Sequence, residues 1–239
     1  MNILVCIKQV PDDSVEVGIG ADGKPAIDSI TKVVNAFDTY ALEMAARYKE
    51  ALGDDSEITV LCVGPDEAKN SLKNCLAVGG NTAYLASDAA FSGSDPSRVA
   101  VIIKDAIAKL EEDKGAFDLI FTGKEATDAA LGQTGIYLAE QLNTGVITNV
   151  IAIDVKDGKA VAKQETDEGY RMVESDTPVV LTVSKPDYDP RYPTIKNKMA
   201  ARKKPIEGFD ASILADPSLV GDAGAKVVAI KTYEPPKKE

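Results

Sequence analysis

The chain has 239 residues, a formal net charge of −11, 44% apolar side chains, few aromatics, and neither histidine nor tryptophan. Its length permits one large domain or a domain with a lobe, while the missing histidine removes the commonest general base, the usual serine and cysteine triads and most zinc sites. Acidity and scarce aromatics argue against a nucleic-acid binder. No apolar run approaches the roughly 20 residues needed for stable membrane insertion, and the cytoplasm is the expected location because Met1 leads into Asn2–Ile7 without a signal-peptide layout.

The first 150 residues alternate β-branched runs with helical patterns. Ile3–Ile7 reads as a buried strand, Asp38 to about Leu52 as an amphipathic helix, and Ile58–Val63 as a second buried strand. Asp66 is expected to cap a helix that runs to Val78 and stops at Gly79 and Gly80. Ala83–Ala86 is a short third strand, and Asp95-Pro96 opens a helix to about Asp113. Phe117–Thr122 is a fourth strand, with a helix from near Leu131 to about Leu142. Such alternation predicts an α/β fold, a Rossmann-like parallel sheet flanked by helices. After Val146 four strands are expected, Val146–Ile153, Lys159–Glu165, Tyr170–Glu174 and Val179–Val183, separated by turns such as 156–158 and antiparallel in arrangement. From Pro186 the Pro-, Lys- and Gly-rich chain reads as an extended arm that ends in Tyr233–Glu239. The expected division is a nucleotide-binding α/β domain over 1–185 and a partner-docking loop with a C-terminal arm over 186–239. Cys6, Cys62 and Cys75, an odd number in apolar or helical patterns, read as buried reduced thiols.

Ligands of open parallel sheets bind at the carboxyl ends of the strands. Lys8–Pro11, Asn35–Asp38, Val63–Pro65 and Gly123–Gly135 fall there. The last is the strongest candidate, because its glycines permit close backbone approach and its end opens a helix whose free amides favour an anion near Gly132–Thr134. It is neither a P-loop nor a Gly-x-Gly-x-x-Gly turn. Each residue also has a purely structural reading: Thr127 or Asp128 as a helix cap, Asn35 and Asp38 as turn and cap residues, Cys6 and Val63 as core. No catalytic or metal-ligating group stands out.

The segment Pro190–Pro205 reverses the charge of the chain, with six cationic side chains and no carboxylate from Arg191 to Lys204. Ile195 and Met199 would share one face of a helix there, suited to anchor in a partner whose surface is acidic. The alternative is a solvated basic loop.

Taken together, Val5–Pro11, Asn35–Glu43, Val63–Pro65, Cys75–Gly79, the loop 123–135 and Pro190–Met199 resemble, in order and spacing over nearly the whole chain, the beta subunit of electron transfer flavoproteins. Asp167–Gly169 followed by Pro178–Thr182 is similar to that family's acidic-glycine turn and strand. The resemblance implies a heterodimer with an alpha subunit that holds most of an electron-transferring FAD, electrons arriving from flavin dehydrogenases, often of the acyl-CoA type, and no chemistry by the subunit itself. It implies a nucleotide in the crevice, usually AMP, a second FAD in electron-bifurcating members. By motif, Cys6, Asn35, Ala36, Phe37, Asp38, Val63, Gly123, Thr127, Asp128, Ala129, Ala130, Leu131, Gly132, Gln133 and Thr134 would line it, with Phe37 near the flavin at the subunit boundary. Arg191, Tyr192, Ile195, Lys196 and Met199 would dock the dehydrogenase, Ile195 as anchor.

Three departures bear on this. Bifurcating members carry an Asp-Gly-Asp-Thr-Ala-Gln run where this chain has Asp128–Gln133, with Ala130 and Leu131 in place of polar residues, which favours AMP. The chain ends at Glu239, short of the C-terminal helix of many members, which implies a different grip on the alpha subunit. Ala36 replaces a proline.

Overall fold

The computed structural model describes residues 1–53, 55–156, 158–227 and 229–234. It begins with β1 (Asn2–Ile7), β2 (Gln9–Pro11) and β3 (Lys32–Val34), then α1 (Ala36–Leu52), β4 (Glu57–Val63), α2 (Lys69–Val78), β5 (Thr82–Ala86), α3 (Pro96–Lys114), β6 (Leu119–Gly123) and α4 (Thr134–Leu142). The two short strands β2 and β3 pair antiparallel in a separate ribbon, too brief to leave a period-2 signature. Then follow β7 (Gly145–Lys156), β8 (Lys159–Thr166), β9 (Gly169–Asp176), β10 (Val179–Val183), α5 (Ile195–Lys203) and β11 (Glu207–Phe209).

Nine strands form one sheet in the order β11-β5-β4-β1-β6-β10-β7-β8-β9. β1 is buried almost throughout because helices cover both faces, and its alternation divides the core between them. Ile3, Val5 and Ile7 pack with α1 and α2, whereas Leu4 and Cys6 pack with α3 and α4. β1 pairs in parallel with β4 on one side and β6 on the other, so the direction of winding reverses between β1 and β6. A crevice opens at the carboxyl ends of strands that part in this way.

Several expectations need correction. The last of the four expected later strands, β10, is not antiparallel: it lies between β6 and β7, parallel to both, and only β8 and β9 continue antiparallel. Its fully buried Val179–Val183 run is that of an interior strand covered on both faces. Asp66 does not cap α2; it begins a 3-10 turn, Asp66–Ala68, that leads into the helix. α4 starts at Thr134 and not near Leu131, because Ala130 (φ 51°) and Gly132 (φ 62°) take left-handed backbone that no α-helix continues. The chain after Pro186 folds back as α5, the edge strand β11 beside β5 and short helical turns, with Leu214 and Val220 buried against α3. Residue 157 of the 156–158 turn and residues 235–239 of the arm lie outside the described residues.

Candidate functional site

The site is assembled by buried polar side chains that bond across the fold. The Asp38 carboxylate accepts the Lys8 amide at 2.6 Å and the Gly123 amide at 2.9 Å, tying together the ends of β1 and β6 where the winding reverses. Asn35 donates its side-chain amide to the Glu125 carbonyl at 2.8 Å and accepts from the Thr127 amide at 3.0 Å, which fixes the loop 124–133. Neither side chain caps α1, so the structural reading of both as cap residues does not hold; nor do Thr127 and Asp128 cap α4. Burial pushes the Asp38 carboxyl up to about 7, against the pull of the Lys8 and Gly123 amides and the Asn35 side chain.

Glycine is required twice. A Cβ on Gly123 would stand 2.5 Å from the Asp38 carboxylate and 2.7 Å from Phe37 Cβ; one on Gly135 would stand 2.7 Å from both Thr122 Oγ1 and Thr182 Cγ2. Only glycine lets α1 and α4 approach the sheet this closely. The N-terminus of α4 is thereby brought to the strand ends. It has no side-chain cap, so the first amides of the helix and its dipole face the crevice.

The crevice is a cavity of about 770 Å³. Of the residues singled out from sequence, Cys6, Asn35, Asp38, Val63 and Gly123 line it, as do Ala129, Leu131, Gly132, Gln133 and Thr134 of the loop. Ala36, Phe37, Thr127, Asp128 and Ala130 are not on its wall. Two of them contact lysines of that wall: the Lys8 ammonium bonds both Asp128 oxygens at 2.7 Å, and the Lys124 ammonium lies 4.8 Å from the Phe37 ring centre. Cys6 is buried, and its thiol is held well above the ordinary range by that burial and by nearby Asp38. All three cysteines are free and buried.

Sequence reasoning missed two parts of the wall. One is Gly93–Pro96 at the start of α3; the other is the late segment with Asp222, Ala225, Val227 and Ala229. The Asp95-Pro96 helix start was a usable signal, since a helix N-terminus after a parallel strand faces the ligand side. Nothing local marks the late segment.

The basic segment forms α5, capped by the Thr194 hydroxyl, which accepts the Asn197 amide at 3.1 Å. Tyr192, Ile195 and Met199 stand 93%, 81% and 59% exposed, and Lys196 is exposed beside them. Arg191 turns the other way. It bonds Glu43 at 2.8 Å through Nε and grips Glu50 through both terminal nitrogens, while its own amide donates to Glu43 at 3.1 Å. Burial would raise the Glu43 carboxyl, but bonds from Arg191 and Arg47 hold it below the usual range. Arg191 therefore roots the segment on α1, and the exposed apolar side chains stand free above it.

A largely parallel sheet covered on both faces, with an uncapped helix N-terminus at its winding reversal, defines an open α/β protein with a crevice at its strand ends. The family model described as the electron transfer flavoprotein domain matches residues 26–214. The chain belongs to that family. It is 39% identical to the electron transfer flavoprotein subunit beta of Megasphaera elsdenii, over 100% of this chain and 89% of the relative. It is 37% identical to the subunit of the same name from Thermoanaerobacterium thermosaccharolyticum, over 97% of this chain and 88% of the relative. It is also 33% identical to the caffeyl-CoA reductase-Etf complex subunit CarD of Acetobacterium woodii, over 100% of this chain and 89% of the relative. Among the described residues no helix is long and apolar enough to cross a membrane, and no group of three or more His, Cys, Asp or Glu is placed to hold a metal ion.

Proposed function

We propose that this chain is the beta-type, non-catalytic subunit of a cytoplasmic electron transfer flavoprotein. It pairs with an alpha subunit that holds most of the redox-active FAD, takes electrons from flavin dehydrogenases and passes them to a redox partner. An adenine nucleotide, AMP in preference to FAD, occupies the crevice. The observation that carries the reading is the uncapped N-terminus of α4 at the winding reversal, held against the sheet by Gly135. The residues fit such a group: glycine and alanine line the loop for close backbone approach, the helix amides suit a phosphate, and Leu61, Val63 and Val99 offer an apolar face to a base.

In this role the chain's residues bind and orient. Asp38 and Asn35 fix the loop, the Lys8–Asp128 pair closes its outer side, and the α4 amides hold the phosphate. The flavin supplies the electron transfer when bound. Phe37, whose ring lies 4.8 Å from the ammonium of Lys124 in the crevice wall, is the residue we assign to the flavin boundary. Exposed Tyr192, Ile195, Lys196 and Met199 supply the docking face for the dehydrogenase, and the Acetobacterium relative, a subunit of a caffeyl-CoA reductase-Etf complex, supports an enzyme acting on CoA thioesters. A second reading, in which the crevice holds a second FAD, is favoured by its volume of about 770 Å³, near the upper part of the roughly 300–1,000 Å³ range of small-molecule sites.

The test is to purify the chain with its alpha partner, denature the complex and quantify released nucleotides by chromatography. One FAD and one AMP per heterodimer is the expected result. Two FAD and no AMP would establish the second reading, and no nucleotide beyond one FAD would overturn the crevice assignment.

A further inference from the structure

The wall of the crevice that no motif accounts for comes from the late chain. Val220 is buried in a small core with Phe91, Val101, Ile102 and Leu214, so the segment after it starts from a fixed point. Gly221 follows in left-handed backbone (φ 68°), its amide donating to the Ser94 hydroxyl at 2.8 Å, and a Cβ there would sit 2.5 Å from the Ala90 carbonyl. The Asp222 carboxylate then packs directly on Gly93, a contact that any side chain at Gly93 would abolish. Next the chain meets Asp95, whose two oxygens have separate duties. Oδ1 caps α3, accepting the Ser97 amide at 2.9 Å and the Arg98 amide at 3.1 Å. Oδ2 accepts the Lys226 amide at 2.6 Å and the Val227 amide at 3.1 Å.

Burial would raise the Asp95 carboxyl, yet these bonds hold it down at about 2, so both oxygens are full acceptors at neutral pH. The held segment is otherwise exposed at Asp222, Lys226 and Val227, although Asp222, Ala225 and Val227 line the cavity. Its hold on the body is therefore a few hydrogen bonds to Ser94 and Asp95 and little apolar burial, the makeup of an element that opens below the global unfolding free energy.

We propose that the segment from Gly221 to Val227 is a strap forming the outer wall of the crevice, and that Asp95 is the positioning residue that keeps it closed over the bound nucleotide. Ligand enters and leaves when the Lys226 and Val227 amides detach from Asp95 Oδ2. The strap also bears on what the crevice accepts. It contributes a carboxylate, Asp222, and the small side chain of Ala225, so its side of the cavity repels phosphate and offers an acceptor to hydroxyl or amino groups, which leaves the α4 amides as the phosphate end. This inference rests on the adenine-nucleotide reading of the crevice.

Asp95→Asn separates the two duties. The amide oxygen can still cap α3, while the NH₂ presents donors to the Lys226 and Val227 amides and expels them. In the full chain purified with its alpha partner, hydrogen exchange at Lys226 and Val227 is expected to accelerate at least tenfold, with Ser97 and Arg98 unchanged. AMP dissociation, followed by chase with unlabelled AMP, is expected to accelerate by a similar factor. Ser94→Ala, which removes only the acceptor of the Gly221 amide, should give a smaller change in the same direction and serves if the first variant does not accumulate. Faster exchange at 226–227 with unaltered AMP release would overturn the strap's role and leave the nucleotide reading intact. A wild-type complex that retains neither added AMP nor added FAD would overturn the nucleotide reading and the strap with it.

Discussion

The crevice loop 123–134 and the basic segment 190–204 are both short, both near α1, and held by opposite means. The loop is fixed from within by Asp38 and Asn35, buried side chains that satisfy backbone amides and carbonyls; the basic helix α5 is fixed from one side by Arg191 and leaves its apolar residues in solvent. Small polar side chains in a buried site define a position to a few tenths of an ångström, because every misplacement strands a hydrogen-bonding group. An exposed helix on an ion pair keeps a direction but tolerates adjustment, which suits a surface that must be met by another protein.

This contrast can be broken most forcefully at Gly123. Gly123→Ala places a methyl against Asp38 and Phe37, and overpacking of this kind costs about 1–3 kcal/mol; the expected outcome is a lower melting temperature together with loss of co-purifying nucleotide, and intact nucleotide content would show that the approach of α1 to the loop is dispensable. On the exposed side, Ile195→Ala should slow electron transfer from the dehydrogenase about tenfold, while stability stays within about 0.5 kcal/mol and nucleotide content is unchanged. Stopped-flow reduction of the heterodimer checks it, and an unchanged rate removes Ile195 from the docking face.

Arg191→Ala sharpens the comparison, since it uncouples the segment while sparing its exposed residues. Glu43 is buried and keeps only Arg47 and the backbone amide of residue 191, so a loss of about 1–2 kcal/mol is expected in denaturant unfolding, discounted for the partial exposure of Arg191. The same pair has a pH signature. Because Glu43 and Glu50 lie below their ordinary value when folded, their contribution is present above about pH 4.3 and is lost as pH falls through the lowered values; Arg191→Ala should flatten that acid limb.

At Asp38 the sign is reversed. With its carboxyl raised to about 7, folding takes up a proton between the unfolded value near 4 and about 7, so stability falls as pH rises through that window. Comparing urea midpoints at pH 5 and pH 7.5 for the wild type and Asp38→Asn should show the slope in the first and its absence in the second.

What the sequence disclosed follows the range of the interactions. Continuous apolar runs such as Ile3–Ile7 and Ile58–Val63 announced parallel strands, and glycine spacing in 123–135 located the loop, because both are local signals. Asn35 and Asp38 read equally well as helix caps, since their actual partners lie 92 and 85 residues away. The strap was illegible for the same reason: Asp95 reaches Lys226 across 131 residues, and nothing within Gly221–Val227 encodes its destination. Strand direction at β10 could have been read from its five buried residues, had burial been weighed over proximity to the antiparallel hairpin.

One element carries both regions. α1 begins at the crevice with Ala36 and Asp38 and bears Glu43 and Glu50, the two carboxylates that grip Arg191, farther along. From Asp38 to Glu50 a helix rises about 18 Å, at roughly 1.5 Å per residue, and a hydrogen-bonded helix neither stretches nor slips. α1 is thus a ruler inside the chain: it sets the distance between whatever lies in the crevice and whatever seats on Tyr192 and Ile195. Loops elsewhere can lengthen, shorten or exchange sequence without altering that distance. A one-residue insertion within α1 would rotate the carboxylates by about 100° and misplace the two regions relative to each other while leaving each intact.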